Sequence, residues 1–455
     1  MKLPVLDANL MLRPALGESG LDPARLEGEL AERFRAAHAR VEARRAEGEI
    51  GFLDLPRAVQ ASRRVQELAD SFGQLFENVV VVGIGGSGLG AVMLRDALLA
   101  PRWNERTAEE RDHFPRLYVL DNPDPSTVSS LLDGLELGRT LFNVVSKSGS
   151  TAETMALYLV ARERLARRVE PEQVRAHFLF TTDPDRGALR RIAEAEGIAT
   201  LALPPNVGGR YSVLSPAGLW PAAATGVDVD ALLAGARAMA ERCMGEALLA
   251  NPAGLFATLL HAADVEQGRS VHVLMPYSDR LRSLALWFQQ LWAESLGKEL
   301  KGPTPLPALG ASDQHSQVQL FMEGPHDKVV VFVAAAEGGE GVPIPSLHGE
   351  TEELGYLGGH TLGALLDAER RATTEALRRA GRPSLTLELG RLDAYSVGAL
   401  SMLFQIATVY AGALYGVDPL DQPGVELGKR LACGLLGRAG FEAPAAGNGD
   451  PRWRV

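Results

Sequence analysis

The sequence is poor in cysteine and in long apolar runs. Its two cysteines, Cys243 and Cys433, lie far apart and lack the spacing of metal ligands, so neither a disulfide framework nor a cysteine-based zinc site is predicted. No apolar stretch approaches the roughly 20 residues that a membrane span requires, and the N-terminus lacks an apolar core of signal-peptide length. These absences predict a protein of the reducing cytoplasm without a membrane partner.

An excess of positive charge is also missing. Lys and Arg number 46 against 57 Asp and Glu, which gives a net charge of -11. Such a balance argues against nucleic acid or an anionic membrane as the main partner, so an anionic ligand would have to be held by local groups. Only six of the basic residues are lysines. A lysine inside a motif is therefore less easily explained as background.

The pattern of apolar runs predicts an α/β protein with doubly wound parallel sheets and flanking helices. Short runs rich in β-branched residues alternate with helical stretches, as buried parallel strands do. The predicted strands are 78–83, 117–121, 141–145 and 178–182, followed after a helical region by 271–275, 328–333 and 385–389.

The same pattern divides the chain into two α/β domains. A length of 455 residues allows two large domains as the simplest arrangement. We predict an N-terminal helical segment over 1–70, a first domain over 70–225 that ends in a Pro/Gly-rich stretch, and a second domain over 265–430. A C-terminal helix and a tail occupy 430–455.

A glycine-rich loop, Gly83 to Gly88, follows the first strand and opens a helix. Glycines let a backbone approach a ligand, and the helix N-terminus offers free N–H groups. Gly86 and Ser87 are the candidate contacts to a sugar. The loop also fits G-x-G-x-x-G, but the acidic residue that a dinucleotide site places about 20 positions on is missing, since Asp121 comes later. A nucleotide cofactor and a purely structural turn remain alternatives.

A loop rich in hydroxyls follows the third strand. Ser146, Lys147, Ser148 and Thr151 precede the body of a helix, which is the arrangement of a phosphate cradle. The alternative is a Ser/Thr-rich helix cap without a ligand, but a cap uses one hydroxyl and this loop offers several.

Four further motifs carry single groups with possible catalytic roles. Arg210 follows two glycines and could stabilise negative charge on a reacting oxygen. Gln290 and Glu294 share one face of a predicted helix with apolar neighbours, where a carboxylate could serve as a base. His315 lies in a loop and could move protons, and Lys429 lies one turn into a helix. Taken singly, each is better explained by an ordinary surface side chain.

In their order and wording these motifs closely resemble the glucose-6-phosphate isomerase (phosphoglucose isomerase) family. Many members have Asn where this chain has Leu296. The matching stretches are VVVGIGGSGLG (80–90), SKSGSTAET (146–154), GGRYSVLS (208–215), FQQLWAESLGK (288–298), ASDQHSQVQLFMEG (311–324) and DQPGVELGK (421–429).

The resemblance implies two sugar-isomerase-type domains, a cytoplasmic homodimer, and interconversion of glucose 6-phosphate and fructose 6-phosphate through a cis-enediolate. Glu294 would carry the proton between C2 and C1, and Arg210 would stabilise the enediolate. His315, donated by the partner subunit, and Lys429 would open the ring. No cofactor and no metal would be needed. The implied substrate contacts are Gly86, Ser87, Ser146, Lys147, Ser148, Thr151 and Gln290.

Two other functions remain to be separated from this one. A catalytically silent phosphosugar sensor would need the glycine and hydroxyl loops but not the four catalytic candidates together, and their joint presence favours an enzyme. An oxidoreductase using the glycine loop would bind NAD(H). Within the isomerase class, mannose 6-phosphate is a possible second substrate.

Overall fold

The computed structural model describes residues 2–73, 75–335, 341–444 and 451–453. The chain divides into two compact units, 1–419 and 420–455. The first unit holds two five-stranded sheets. The strands are β1 (Val5–Asp7), β2 (Asn78–Val82), β3 (Arg116–Leu120), β4 (Thr140–Ser146), β5 (Phe178–Thr182), β6 (Ala199–Ala202), β7 (Val271–Pro276), β8 (Thr304–Pro307), β9 (Lys328–Ala335) and β10 (Ser384–Leu389).

The helices connect the strands and form most of the remaining structure. In the first unit they are α1 (Arg13–Leu16), α2 (Ala24–Glu27), α3 (Glu29–Ala46), α4 (Val59–Gly73), α5 (Gly86–Leu98), α6 (Pro125–Gly134), α7 (Ala152–Ala166), α8 (Ala188–Glu196), α9 (Pro216–Ala224), α10 (Val229–Arg242), α11 (Pro252–Gln267), α12 (Arg282–Leu296), α13 (Val318–Glu323), α14 (Glu352–Gly355), α15 (Leu362–Arg379) and α16 (Ala394–Tyr415). The second unit contains α17 (Glu426–Leu435).

The first sheet has the order β3–β2–β4–β5–β6, with all strands parallel. Every residue of β2, β4 and β5 is buried, as in parallel sheets covered on both faces. On one face, Val80, Phe142 and Phe180 pack with Leu157 of α7 and Leu189 of α8. The predicted parallel α/β fold is confirmed for this part of the chain.

The second sheet repeats this strand order over four of its five strands. It reads β8–β7–β9–β10–β1, and the pairs among β7 to β10 are parallel. Its last edge is β1, which pairs antiparallel with β10 and places Val5 opposite Glu388. Residues 1–70 therefore contain a strand of the second sheet in addition to the predicted helices. Three residues are too few to show the alternation by which a strand is predicted.

The seven predicted strands are all present, and β1, β6 and β8 are additional. β6 and β8 have four residues each, and two of the four in β8 are prolines, which mask a strand in the sequence. The two compact units divide between Pro419 and Leu420. The predicted end of the second domain at residue 430 falls inside α17. The domain ranges 70–225 and 265–430 stay predictions.

The helix α16 passes through the centre of the first unit. This helix has 22 residues. Its most apolar stretch has a mean hydropathy of 1.6, and 89% of the residues in that stretch are buried. The prediction that no stretch approaches the length of a membrane span is therefore wrong, but the apolar helix is explained by its packing. Gly398 of α16 permits a close approach of α10, since a Cβ at this position would lie only 1.9 Å from the Leu232 carbonyl oxygen.

The N-terminal helix α3 packs against α16. Leu30 and Phe34 are fully buried on its inner face, and the Phe34 ring meets the Tyr410 ring edge-on at 5.0 Å. The His38 Nδ1 atom lies 2.9 Å from the Tyr410 hydroxyl. These contacts make α3 part of the core of the first unit.

Replacing Leu30 with alanine should therefore lower the midpoint of thermal unfolding followed by circular dichroism. A buried Leu→Ala change commonly costs about 2–5 kcal/mol, whereas surface substitutions stay within about 0.5 kcal/mol. Leu159→Ala on α7 is the matched control, because Leu159 is 59% exposed. Equal midpoints for the two variants would show that α3 is not part of the cooperative core.

Candidate functional site

The loops after β2 and β4 meet at the point where the order of the first sheet reverses. In the sheet, β2 lies between β3 and β4, so the chain moves to one side of β2 for β3 and to the other side for β4. In open parallel sheets, ligands bind outside the carboxyl ends of the strands at such a point. The glycine loop follows β2 and the hydroxyl loop follows β4, so both predicted ligand loops lie at this crevice.

The glycine loop packs directly on the segment that carries Arg210. A Cβ at Gly86 would lie 2.2 Å from the Gly209 carbonyl carbon, and the Ser212 hydroxyl donates to the Gly86 carbonyl at 3.3 Å. A Cβ at Gly85, whose φ is +56°, would lie 3.1 Å from Gln290 Nε2. The close approach that requires Gly86 is thus to the protein's own backbone. This accounts for the glycine without the pyrophosphate of a dinucleotide.

Three hydroxyls of the loop after β4 gather around one another. Ser146 Oγ lies 3.2 Å and Ser148 Oγ lies 3.4 Å from Thr151 Oγ1. The Gly149 N–H donates to Ser146 Oγ at 3.1 Å, which closes the loop. Thr151 is the N-cap residue of α7, yet its side chain makes no capping hydrogen bond. Helix capping therefore does not explain the cluster, which faces the free N–H groups at the start of a 15-residue helix.

The Lys147 ammonium points away from these hydroxyls, toward a neighbouring segment. It donates to the carbonyl of Pro205 at 2.5 Å and to that of Val207 at 3.0 Å. Burial lowers the pKa of this half-buried amine, while the charge of Asp183 raises it. The sequence places Lys147 in the phosphate loop, and the structure adds its contact with the chain leading to Arg210.

Arg210 is buried and has partners from two other parts of the chain. It lies in a 3₁₀ turn (Gly209–Leu214), and its side chain is 1% exposed. Its guanidinium donates to Ser295 Oγ at 2.7 Å, to the Pro419 carbonyl at 2.6 Å and to Glu294 Oε1 at 3.3 Å. The interpretation of Arg210 as an ordinary surface arginine is therefore wrong.

Glu294 lies at the end of α12 between Arg210 and Gln290. Its Oε2 accepts a hydrogen bond from Gln290 Nε2 at 3.0 Å, as the four-residue spacing predicts. Its side chain is 26% exposed, so the carboxylate is reachable from solvent while it is held on both oxygens. The buried Gln290 Oε1 has no hydrogen-bond partner among the described residues, which fits an acceptor for a ligand hydroxyl.

Two residues that the sequence prediction did not single out hold Arg210 in place. Ser295 accepts from the guanidinium, and the Tyr211 hydroxyl lies 3.1 Å from Ser295 Oγ and donates to the Pro419 carbonyl at 3.2 Å. Burial raises the pKa of Tyr211 to about 12, so it remains a neutral donor. Phe52 stacks on its ring at 4.9 Å. The only sequence signal for this pair is that each adjoins a catalytic candidate.

His315 is exposed at the end of a 3₁₀ turn (Ser312–His315). The turn is fixed by Asp313, whose carboxylate accepts from the Leu309 N–H at 2.7 Å and from the Ser316 hydroxyl at 2.6 Å. The imidazole forms no hydrogen bond or ion pair with the residues that the structure describes. His315 thus faces outward and is not joined to Glu294 or Arg210 by any such contact within this chain.

Lys429 belongs to the second unit. It lies on α17, where its ammonium is 2.8 Å from Glu426 Oε1 and its side chain is 59% exposed. This ion pair joins neighbouring turns of one helix. Within residues 2–73, 75–335, 341–444 and 451–453, no group of three or more His, Cys, Asp and Glu side chains could hold a metal ion.

The sequence profile of phosphoglucose isomerases matches residues 58–324 and 368–440. This chain belongs to the phosphoglucose isomerase family. A glucose-6-phosphate isomerase of Rubrobacter xylanophilus is 48% identical over 94% of this chain and 97% of its own length. One from Thermus thermophilus is 43% identical over 84% of this chain and 89% of its own length.

Two solved structures share the fold of this phosphoglucose isomerase. A crystal structure of a hypothetical protein from Thermus thermophilus has 40% identity and a TM-score of 0.84, and the match covers 96% of this chain and 100% of the other. A glucose-6-phosphate isomerase from Chlamydia trachomatis has a TM-score of 0.74 at 23% identity, with 89% and 78% covered. The latter comparison supports the fold alone.

Replacing Arg210 with lysine should destabilise this phosphoglucose isomerase. An ammonium cannot reproduce the planar fork that reaches Ser295, Glu294 and Pro419, and each buried acceptor left without a donor costs about 1–3 kcal/mol. We expect a lower midpoint of thermal unfolding than for Arg167→Lys. That control changes an arginine that is 68% exposed and pairs with Glu163 on the same helix. Equal midpoints would mean that the buried partners do not depend on the guanidinium.

Proposed function

We propose that this enzyme interconverts glucose 6-phosphate and fructose 6-phosphate by ring opening and proton transfer through a cis-enediolate. Membership of the phosphoglucose isomerase family and relatives of that activity at 48% identity make the chain a glucose-6-phosphate isomerase acting on a phosphosugar. The observation that carries the mechanism is the Glu294 carboxylate, which is partly exposed and lies 3.3 Å from a buried arginine. We further propose that the enzyme works in the cytoplasm.

Glu294 is the base in this mechanism. Its carboxylate removes the proton from C2 of the open-chain aldose, and the electron pair moves toward C1, whose carbonyl oxygen becomes an enediolate oxygen. The same carboxyl group returns its proton to C1, and the proton of the C2 hydroxyl passes to the C1 oxygen, so that C2 becomes the ketone carbonyl and C1 carries a hydroxyl. One base therefore serves both carbons, and Gln290 orients it through the 3.0 Å hydrogen bond.

Arg210 is the proposed electrostatic partner of the enediolate. A fixed cation placed where charge develops stabilises a transition state without reorganising. The Arg210 guanidinium is fixed in this way because it donates hydrogen bonds to Ser295 Oγ and to the Pro419 carbonyl. Gln290 Oε1, Gly86 and Ser87 are proposed to contact the sugar itself, since the glycine loop lies beside Gln290 and Arg210.

The phosphate is proposed to bind at the hydroxyl loop. Ser146, Ser148 and Thr151 offer hydroxyls, the loop offers backbone N–H groups, and α7 presents its N-terminus. The charge of Lys147 lies in the same loop and adds to the attraction. The phosphate then serves as a handle that places C1 and C2 near Glu294.

Ring opening is proposed to use His315 and Lys429, with His315 supplied by the partner subunit of a homodimer. The exposed position of His315, whose imidazole forms no hydrogen bond or ion pair with the described residues of its own chain, supports a role toward a second copy. Lys429 is proposed from its place in the family's DQPGVELGK motif. A silent sensor would need neither residue.

Glu294→Gln should retain phosphosugar binding and lose isomerisation, because an amide cannot accept the C2 proton. We expect kcat to fall by about 10²–10⁴-fold or more. The assay follows fructose 6-phosphate conversion in the presence of a chelator, with glucose 6-phosphate read out by a coupled dehydrogenase and mannose 6-phosphate run alongside. Glu163→Gln, an exposed carboxylate on α7, is the control.

Turnover by Glu294→Gln near that of the unchanged protein would refute the role of the base. Binding of phosphosugar without turnover by the unchanged protein would instead make it a sensor. Binding of NAD(H) would support the oxidoreductase.

Mixing two inactive variants tests the shared site. Glu294→Gln and His315→Asn should each be inactive alone. In a mixed dimer with a site built from both subunits, one site carries both changes and the other carries neither, so about a quarter of all sites should regain activity after subunit exchange. Mixing Glu294→Gln with Arg210→Lys is the control, since both residues belong to the same chain's site. No recovery in the first mixture would place His315 within its own subunit's site.

A further inference from the structure

The segment before Arg210 runs from Leu203 to Gly208 without a helix or a strand. It leaves β6, and the Leu203 N–H donates to the Thr182 carbonyl at 2.8 Å. Such a segment has few backbone contacts of its own to fix it. Its position nevertheless decides where the Arg210 guanidinium enters the site, because Arg210 is only three residues beyond Val207.

Hydrogen bonds to two distant parts of the chain hold this segment. On one side the Asn206 amide donates to the Gly48 carbonyl at 2.9 Å. On the other, the Lys147 ammonium donates to the Pro205 and Val207 carbonyls, which flank Asn206. Among the described residues, Lys147 Nζ makes no hydrogen bond to the hydroxyls of Ser146, Ser148 or Thr151. The Lys147 ammonium instead donates to the backbone of the segment before Arg210.

We propose that Lys147 is a positioning residue, which ties the phosphate loop to the segment that carries Arg210. The proposal rests on the proposed function and deepens it, because it gives Lys147 a second role besides attracting the phosphate. Its consequence is a mechanical link between the place where the phosphate binds and the cation that faces the enediolate. A purely phosphate-binding lysine would lack this link.

The two roles differ in the kinetic constants that they affect. A ligand of the phosphate, which does not react, contributes chiefly to KM, whereas a misplaced transition-state group lowers kcat. A displacement of about 1 Å can cost on the order of 10²-fold in rate. Lys147→Met keeps the length and the apolar stem of the side chain but removes the donors. We therefore expect kcat to fall about 10–100-fold, and the inhibition constant of inorganic phosphate to rise by a smaller factor.

The matched control is Lys328→Met. Lys328 is a buried lysine whose ammonium, like that of Lys147, donates to a backbone carbonyl, that of Pro325 at 3.3 Å, but it lies at the start of β9. The kcat of Lys328→Met should equal that of the unchanged protein. Lys147→Arg, which retains donors, should recover part of the lost kcat. Thermal unfolding of each variant establishes that it is folded.

A double-mutant comparison tests whether Lys147 acts through Arg210. If it does, Lys147→Met should lower kcat less in an Arg210→Lys background than in the unchanged protein, because the arginine that it positions is already gone. Equal factors in the two backgrounds would overturn the proposal. So would a Lys147→Met variant with unchanged kcat and a raised inhibition constant for phosphate, which would make Lys147 a phosphate ligand only.

Amide hydrogen exchange provides a readout that does not depend on activity. Peptides covering 203–212 should exchange faster in Lys147→Met than in the unchanged protein or in Lys328→Met. Unaltered exchange would count against the positioning role even if the rate falls. If the unchanged protein does not isomerise fructose 6-phosphate, the proposed function fails, while the exchange result still decides whether Lys147 holds the segment.

Discussion

A buried guanidinium that needs partners from separate parts of the chain is the constraint on which the site depends. Burying a charge is costly unless its hydrogen bonds are satisfied. Arg210 meets this condition only when the end of α12 and residues just after α16 are both in place, since they supply Ser295, Glu294 and the Pro419 carbonyl. The Arg210 guanidinium is therefore correctly placed only when these elements have packed together.

The same requirement explains why neither sheet alone makes a site. The first sheet supplies the glycine and hydroxyl loops at its order reversal, and α12, which follows a strand of the second sheet, supplies Glu294 and Gln290. The glycine loop also meets the turn that carries Arg210, because Gly86 lets its backbone approach the backbone of Gly209. Residues 1–419 accordingly form one compact unit even though they contain two five-stranded sheets.

Much of this could be predicted from the sequence, because buried parallel strands and ligand loops leave local patterns. Runs such as Asn78–Val82 are apolar throughout, and the motifs of the loops are contiguous. The short strands β1 and β8 could not be found, since their pairing depends on distant partners. The Pro419 carbonyl, which accepts from Arg210, has no sequence signal at all, because every residue carries such an acceptor. The turn of Lys147 toward Pro205 and Val207 is equally invisible in the motif that contains it.

The edge strand β1 has a consequence for how the chain is made. A ribosome extends a chain at about 5–20 residues per second from the N-terminus, so β1 emerges before the other strands described above. Its partner β10 ends at Leu389, near the far end of the chain. The first sheet, built from a contiguous stretch, can close while synthesis continues. The outer edge of the second sheet must wait, and during that interval Val5–Asp7 has no strand to join.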